Sequence, residues 1–423
     1  ELEIDMEHTV ATDPKEIKYI KKRCRKAFRE KMCFHICRVF PVKKNLISIC
    51  TFEGKGGFGC NAKPLVEKLH EMKPEYQFVW FVNDMNKDFP DYIKKVPNTL
   101  WSRAYWLTRS KVWIDNYRKP FGTCKRKGQY YLNVNHYTIG IKCTGLLRGK
   151  GFSEMAYLVS KNDSDMIDDL VIDSDWCEQS FDKALVYEGT YLKTGAPRCD
   201  VLYGDRSQFK ERFHKKYNLP DNARVIMFAP TFREGAKNGV RSVYSEIWRL
   251  IDNLEKKFGG EWYVCIRVHP QLAPTFSEYK NPEVQSRLID ESQADDMYEI
   301  LAAMDAYITD YSSACFEAGF AHIPVFIYAD DIQKYAKDRG ALMWNIATDP
   351  RHDVGNNKNF TPKLDVKFPF PIASDNEQLE EDIMKFQQDE YDSRLDIFHE
   401  KVGLVFNGNA SERLAEIIMN KII

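Results

Sequence analysis

Short continuous apolar runs alternate along the chain with amphipathic stretches. "NLISICTF" (45–52) has no polar alternation, as expected of a strand covered on both faces. It is followed by a glycine-rich loop, "EGKGGFGCNAKP", and an amphipathic helix, "LVEKLHEM". "QFVWFVND", a helix near residue 90, "TLWSRAYWLTRS", "KVWIDNY" and "QYYLNVNH" continue the series. A second series starts near residue 185. "KALVYEG" leads to "GAPRCDVLYG", a helix reaching about Lys216, and the strand "RVIMFAPTF". Then come the helix "SEIWRLIDNLEKKF", the strand "WYVCIRVHP", and the helix "DDMYEILAAM", with Met297, Ile300, Leu301 and Met304 on one face. "AYITD", "SSACFEAGFA" and "PVFIYA" read as strand, helix, strand, and the last helices run from about residue 376 to the end. Strand, loop, helix, strand in repetition predicts an α/β chain of parallel sheets. Two doubly wound halves joined near 175–185, with a ligand cleft between them, follow from the pattern. The expected segments are a basic helical stretch (1–44), a first Rossmann-like domain (45–180), a second (181–400) and a C-terminal helix (401–423). In such sheets ligands sit beyond the carboxyl ends of the strands.

A length of 423 residues suits two cores rather than one. Hydrophobic residues make up 43%, which excludes wholesale disorder. Lys+Arg 61 against Asp+Glu 62 leaves a net charge of −1, so nothing global points to nucleic acid. The charge is uneven: "KEIKYIKKRCRKAFREK" (15–31) is strongly basic. Ile17, Ile20, Cys24 and Phe28 recur there at helical spacing. The segment is either a solvated surface helix or a helix lying on an anionic membrane surface. The 11 cysteines contain no CxxC pair, which favours reduced thiols over a disulfide framework. Cys33, His35 and Cys37 lack a second ligand pair at zinc spacing. No run approaches the ~20 apolar residues of a membrane span, and no secretory signal opens the chain.

Four segments follow apolar strands in the second series: "GAPRCD" (195–200), "APTFRE" (229–234), "RVHP" (267–270) and "TDYSS" (309–313). Each is expected on one edge of one sheet, which would bring Arg198, Thr231, Arg233, Arg267, His269, Asp310, Ser312 and Ser313 together. Guanidiniums suit phosphate. A helix starting at Ser312 and Ser313 would add amide and hydroxyl donors, although a serine there can equally be a simple cap. Glu317, one turn on, could accept from ribose hydroxyls. His269 has a pKa suited to proton exchange near neutrality. In the first half His136 stands at another strand end, where a base could deprotonate an acceptor hydroxyl. "EGKGGFG" lets backbone approach a ligand closely, but it is neither a dinucleotide fingerprint nor a P-loop.

"DMYEILAAMDAYITDYSSACFEA", "FAPTFRE", "RVHP" and "GAPRCD" together resemble the CDP-glycerol glycerophosphotransferase family, the polymerases and primases of teichoic acids and related capsules. The resemblance runs from about residue 45 to 400. It implies a GT-B architecture and transfer of a polyol phosphate from CDP-glycerol or CDP-ribitol to a hydroxyl of a polymer or lipid-linked acceptor, releasing CMP. By the match, His269 falls on the family's catalytic histidine of the second domain, Ser312 and Ser313 on its diphosphate-binding serines, and Arg233 in its phosphate-contacting motif. The family's first-domain Trp-His-Gly-Thr pattern meets Asn135, His136, Tyr137 and Thr138, which keep the histidine and threonine. The expected mechanism needs no metal and no cofactor beyond the donor. The resemblance also implies a cytoplasmic enzyme held peripherally on the inner membrane face. A nucleotide-sugar glycosyltransferase of the same fold, or a non-catalytic membrane-associated scaffold, are the alternatives.

Overall fold

A computed structural model describes residues 9–231, 246–268, 282–339, 342–344 and 366–422. The chain folds into two compact units. The first comprises 1–138, 144–200 and 404–423, and the second 139–143 and 201–403.

The first unit is built on a parallel sheet of β1 (Lys43–Cys50), β2 (Gln77–Val82), β3 (Ile93–Pro97), β4 (Ser110–Asp115), β5 (Tyr130–Asn133), β6 (Asp169–Ile172) and β7 (Thr190–Lys193), in the order β3-β2-β1-β4-β5-β6-β7. The order reverses direction between β1 and β4, the switch point at which doubly wound sheets open a crevice. Central strands such as β5 are buried along their whole length, which explains their unbroken apolar sequences. The expected helix near residue 90 is absent; β3 forms at 93–97 after a turn-rich stretch. Pro90 and the Asn and Asp residues around it favour turns over helix.

Two boundaries differ from expectation. β7 pairs with β6, so the first unit extends to Asp200 rather than ending near 180. The helix Ala410–Ile422 also belongs to this unit: Leu414, Ala415 and Ile418 are fully buried against Leu65, Val66 and Leu69. The second unit carries β8 (Ala223–Phe228), β9 (Glu261–Ile266), β10 (Leu288–Asp290), β11 (Ala306–Thr309), β12 (Val325–Tyr328) and β13 (Ile372–Ala373), again parallel, in the order β10-β9-β8-β11-β12-β13. Both units are Rossmann-like, as the strand–helix alternation predicts.

The basic stretch is a helix, Pro14–Cys37, capped by the Asp13 carboxylate. Its buried face is Ile20, Ala27, Phe34 and Cys37. Of the residues that recur at helical spacing, Ile20 is buried, whereas Cys24 and Phe28 are exposed. Inward positions seven residues apart keep a helix on one line of contact better than a four-residue drift. No helix among the described residues is long and apolar enough to cross a membrane.

Candidate functional site

In the first unit the carboxyl ends of β1, β4 and β5 bring the glycine-rich loop, "DNYRK" and "NVNHY" together. His136 sits there, and its surroundings hold it on every side. Asn135 has φ +53°, a left-handed turn that asparagine tolerates. Asn133 Oδ1 accepts the Asn135 N–H (2.8 Å), and Asn135 Oδ1 accepts the His136 N–H (2.8 Å). Asn61, at the end of the glycine-rich loop, donates its amide to the carbonyls of Val134 (2.8 Å) and Asn135 (3.0 Å). Arg198 donates to the His136 carbonyl (2.7 Å), while its own N–H is accepted by Asn61 Oδ1 (3.0 Å).

The imidazole is fixed as firmly. His136 Nδ1 lies 2.8 Å from the Asn116 carbonyl oxygen. A carbonyl can only accept, so Nδ1 carries the hydrogen and Nε2 of the neutral ring is a lone pair. The rings of Phe52, Tyr117 and Tyr137 pack around it at 5.4, 5.3 and 4.9 Å between centroids. Asn116 is in turn held by its Oδ1, which accepts the Phe52 N–H (2.8 Å). Beneath it Asp115 and Lys119 form a buried ion pair at 2.7 Å, both side chains 2% exposed. A cavity of about 310 Å³ adjoins His136 and is lined by Tyr117, Arg118, Tyr137, Ser160, Asp163 and Tyr187 among others. Burial pushes the Asp163 carboxyl up to about 7, against the opposing pull of the Lys119 N–H, which it accepts.

The glycine-rich loop serves this arrangement. Gly54 has φ +82°, and a Cβ there would come within 2.6 Å of the Asn98 amide and 2.7 Å of Asn83 Oδ1.

In the second unit β8 lies between β9 and β11, so Thr231, Arg267 and the Asp310–Ser313 turn do share one edge. Their side chains are used differently from expectation. Arg267 donates Nη1 to the Glu291 carbonyl (2.7 Å) and Nη2 to the Ala294 carbonyl (2.8 Å). Its fork is closed on the chain's own backbone rather than presented to a phosphate, and burial pulls its pKa down. Asp310 is fully buried; its Oδ1 accepts the N–H groups of Thr231 (2.9 Å) and Tyr311 (2.6 Å) and so ties the exit of β8 to that of β11. Glu317 is also fully buried and accepts the Tyr298 hydroxyl, so its carboxylate does not face a ribose as expected. Thr231, Ser312 and Ser313 are half-buried. Ser312 Oγ accepts the Ala314 N–H (3.3 Å), and Ser313 makes no side-chain cap. The helix that follows, Ala314–Phe320, has only seven residues, which leaves a shorter dipole than the expected ten-residue stretch.

Arg198 is the clearest correction: "GAPRCD" follows β7 and so lies in the first unit, not on the edge of the second sheet. Arg233 and His269 lie outside the described residues. Asn61, Asn116 and the Asp115–Lys119 pair were not singled out from sequence. Asn61 reads as an ordinary residue before a helix, yet its side chain makes no cap there. "WIDNY" at a strand end was the one available signal for Asn116.

The curated relatives share this sequence over most of its length. A teichoic acid poly(glycerol phosphate) polymerase of Staphylococcus epidermidis is 27% identical over 389 residues, covering 89% of this chain and 51% of its own. One of the same description from Bacillus subtilis is 24% identical, covering 92% and 50%. The chain thus spans about half the length of these two relatives. It spans 93% of a teichoic acid glycerol-phosphate transferase of Staphylococcus aureus, at 26% identity over 89% of this chain. The solved wall teichoic acid polymerase TagF superposes with a TM-score of 0.75 at 23% identity, covering 97% of this chain and 98% of that one. That likeness shows the fold, two Rossmann-like units of GT-B type. The family described as CDP-glycerol:poly(glycerophosphate) glycerophosphotransferase matches residues 32–420, and the chain belongs to it.

Proposed function

We propose that the chain transfers glycerol phosphate from CDP-glycerol to a hydroxyl of a polymer or lipid-linked acceptor, releasing CMP. The observation that carries this reading is the His136 ring, whose Nδ1–H is held by the Asn116 carbonyl so that Nε2 is a base. In the mechanism the acceptor hydroxyl gives its proton to Nε2 as its oxygen attacks the distal phosphorus. The bond from that phosphorus to the bridging oxygen breaks, and CMP leaves. Thr231, Ser312 and Ser313 supply hydroxyl and amide donors for the diphosphate; Arg233 and His269 are assigned to the leaving CMP on the family resemblance. Such transfers depend mainly on positioning and charge stabilisation. The chain's own donors fill those roles, and no cofactor other than the CDP-polyol enters. The solved TagF was altered at histidine, to asparagine in a structure soaked with CDPG and to alanine in another. This accords with histidines as the groups of interest.

The test is the identity of the released nucleotide. The purified chain is incubated with CDP-glycerol, CDP-ribitol or UDP-sugars and a glycerol-phosphate acceptor. CMP from CDP-glycerol is the expected product. CMP from CDP-ribitol alone would change the polyol, a nucleoside diphosphate would indicate glycosyl transfer, and binding without turnover would indicate a scaffold.

The site would work at an anionic membrane surface, on the cytoplasmic face. Phe28, Met32 and Ile36 are 69%, 53% and 58% exposed on the helix Pro14–Cys37, spaced four apart and flanked by Lys and Arg. An apolar stripe within a basic face suits the interface, where each basic residue adds about 1 kcal/mol. Co-sedimentation with phosphatidylglycerol vesicles should be lost on Phe28→Glu with Met32→Glu. Unchanged sedimentation of that variant would remove the membrane role.

A further inference from the structure

The second unit also holds a group of metal-ligand side chains that the transfer reaction does not use. The helix Ala314–Phe320 ends in a tight reversal: the Ile323 N–H donates to the Ala318 carbonyl (3.1 Å) and the His322 N–H to the Gly319 carbonyl (2.9 Å). His322 has φ +54°, a place that usually takes glycine or asparagine. A separate helix, Gln388–Val402, carries Asp392, Asp396 and His399 at steps of four and three, hence on one face. The two elements meet at these side chains. His322 Nδ1 lies 2.9 Å from Asp392 Oδ1, and its Nε2 lies 3.3 Å from Asp396 Oδ1. The His322 and His399 rings stand 5.7 Å apart at 78°. One ligand atom each from His322, Asp396 and His399 lies within 4.8 Å of the others. His399 Nε2 is buried and has no hydrogen-bond partner among the described residues.

The chemistry asks for a cation. In the uncharged tautomer that donates Nδ1–H to Asp392, His322 presents its Nε2 lone pair to the Asp396 carboxylate. Two acceptors then face each other and need positive charge between them. A proton would satisfy His322 and Asp396 but would leave His399 Nε2 idle. A metal ion uses all three donors. The 3.3 Å between Nε2 and Oδ1 is also about the separation of two ligand atoms on a tetrahedral ion with bonds of ~2.1 Å.

We propose that His322, Asp396 and His399 bind one divalent transition-metal ion of the zinc class. Two imidazoles and one carboxylate suit such an ion, and water completes the tetrahedron. Asp392 is the outer partner that fixes the His322 ring, as carboxylates commonly do for metal-bound histidines. The ion ties the turn at His322 to the helix Gln388–Val402, two elements joined otherwise by packing and by hydrogen bonds such as that from Gln388 Nε2 to the His322 carbonyl (3.4 Å). The proposal does not depend on the donor, the acceptor or the role of His136.

The full chain, stripped with a chelator, is titrated with Zn²⁺ by calorimetry and with Co²⁺ by visible absorption. One equivalent should bind, and Co²⁺ should give ligand-field bands without the intense near-ultraviolet band of thiolate ligation, which separates this site from the 11 cysteines. Asp396→Asn should weaken binding by about 100-fold or more, and Asp392→Asn by roughly 10–100-fold. The Asp396 side chain is 70% exposed, so its replacement leaves the metal-free melting temperature unchanged. Zn²⁺ should raise the melting temperature of the wild type and not that of Asp396→Asn. No stoichiometric uptake, a thiolate band, or wild-type affinity in both Asp396→Asn and His399→Gln would overturn the assignment.

Discussion

The two strand-end edges look alike in sequence and are built in opposite ways. At the edge of the first sheet, buried amides, a guanidinium and carbonyls converge to hold one imidazole, with its Nδ1 fixed on the Asn116 carbonyl. At the edge of the second sheet the same kinds of residue hold the backbone itself. Arg267 closes on two carbonyls, Asp310 on two amides, and Glu317 on a tyrosine hydroxyl. Among the described residues at that edge, Thr231, Ser312 and Ser313 offer hydroxyls to a ligand. The contrast teaches that a polar residue at a strand exit has two competing employers. Loop carbonyls and amides nearby are fixed at high local concentration and must be satisfied, so they win whenever the side chain can reach them.

This contrast can be broken, and the largest effect is expected beneath His136. Lys119→Met leaves Asp115 buried and unpaired, which should cost about 3–5 kcal/mol in a denaturant melt. A loss under 1 kcal/mol would mean the pair is not the floor of that edge. On the other edge, Arg267→Ala strands two carbonyls and should cost about 2–3 kcal/mol. Arg267→Lys should not restore it, because one ammonium cannot reproduce the fork. Were Arg267→Ala instead to leave stability intact and raise the KM for CDP-glycerol, the expected phosphate role would stand after all. Arg198→Ala tests the positioning of His136. Loss of its bond to the His136 carbonyl should lower kcat about tenfold, the equivalent of 1.4 kcal/mol, with little change in donor KM. A change in donor KM alone would put Arg198 on the nucleotide. A pH dependence is expected as well. Asp163 is raised in the folded state to about 7 from 3.8, chiefly by burial. The folded chain therefore holds its proton more tightly than the unfolded chain. Its contribution to stability is full below pH 3.8 and is lost as pH rises through about 7. Asp163→Asn should flatten that part of the stability profile, and an unchanged slope would remove Asp163 as its source.

Much of this architecture was legible in the sequence. Unbroken apolar runs marked strands buried on both faces, and the positions where they stop placed His136, Thr231 and Ser312 at sheet edges. What could not be read was allegiance. "TYLK" (190–193) is short and mixed, so nothing local tells it to pair with β6 rather than begin a new sheet. Arg198 was misplaced with it. The helix Ala410–Ile422 shows its apolar face in sequence, but only packing assigns that face to Leu65 and Leu69. The fate of Arg267 and Glu317 was hidden for a related reason. Their partners, the loop carbonyls at 291 and 294 and the Tyr298 hydroxyl, are 19 to 27 residues away along the chain. Asn61 stands at the N-cap position of the helix Ala62–Met72, but its side chain serves the "NVNHY" turn, which follows β5, two places from β1 in the sheet.

The central claim is that His136, held by the Asn116 carbonyl, takes the acceptor proton. The most direct measurement is single-turnover CMP release from CDP-glycerol by the wild type and by His136→Ala, with donor affinity measured in parallel. The account predicts a rate loss of about 10²–10⁴ with CDP-glycerol affinity preserved. A His136→Ala variant that releases CMP onto acceptor at the wild-type rate would contradict it.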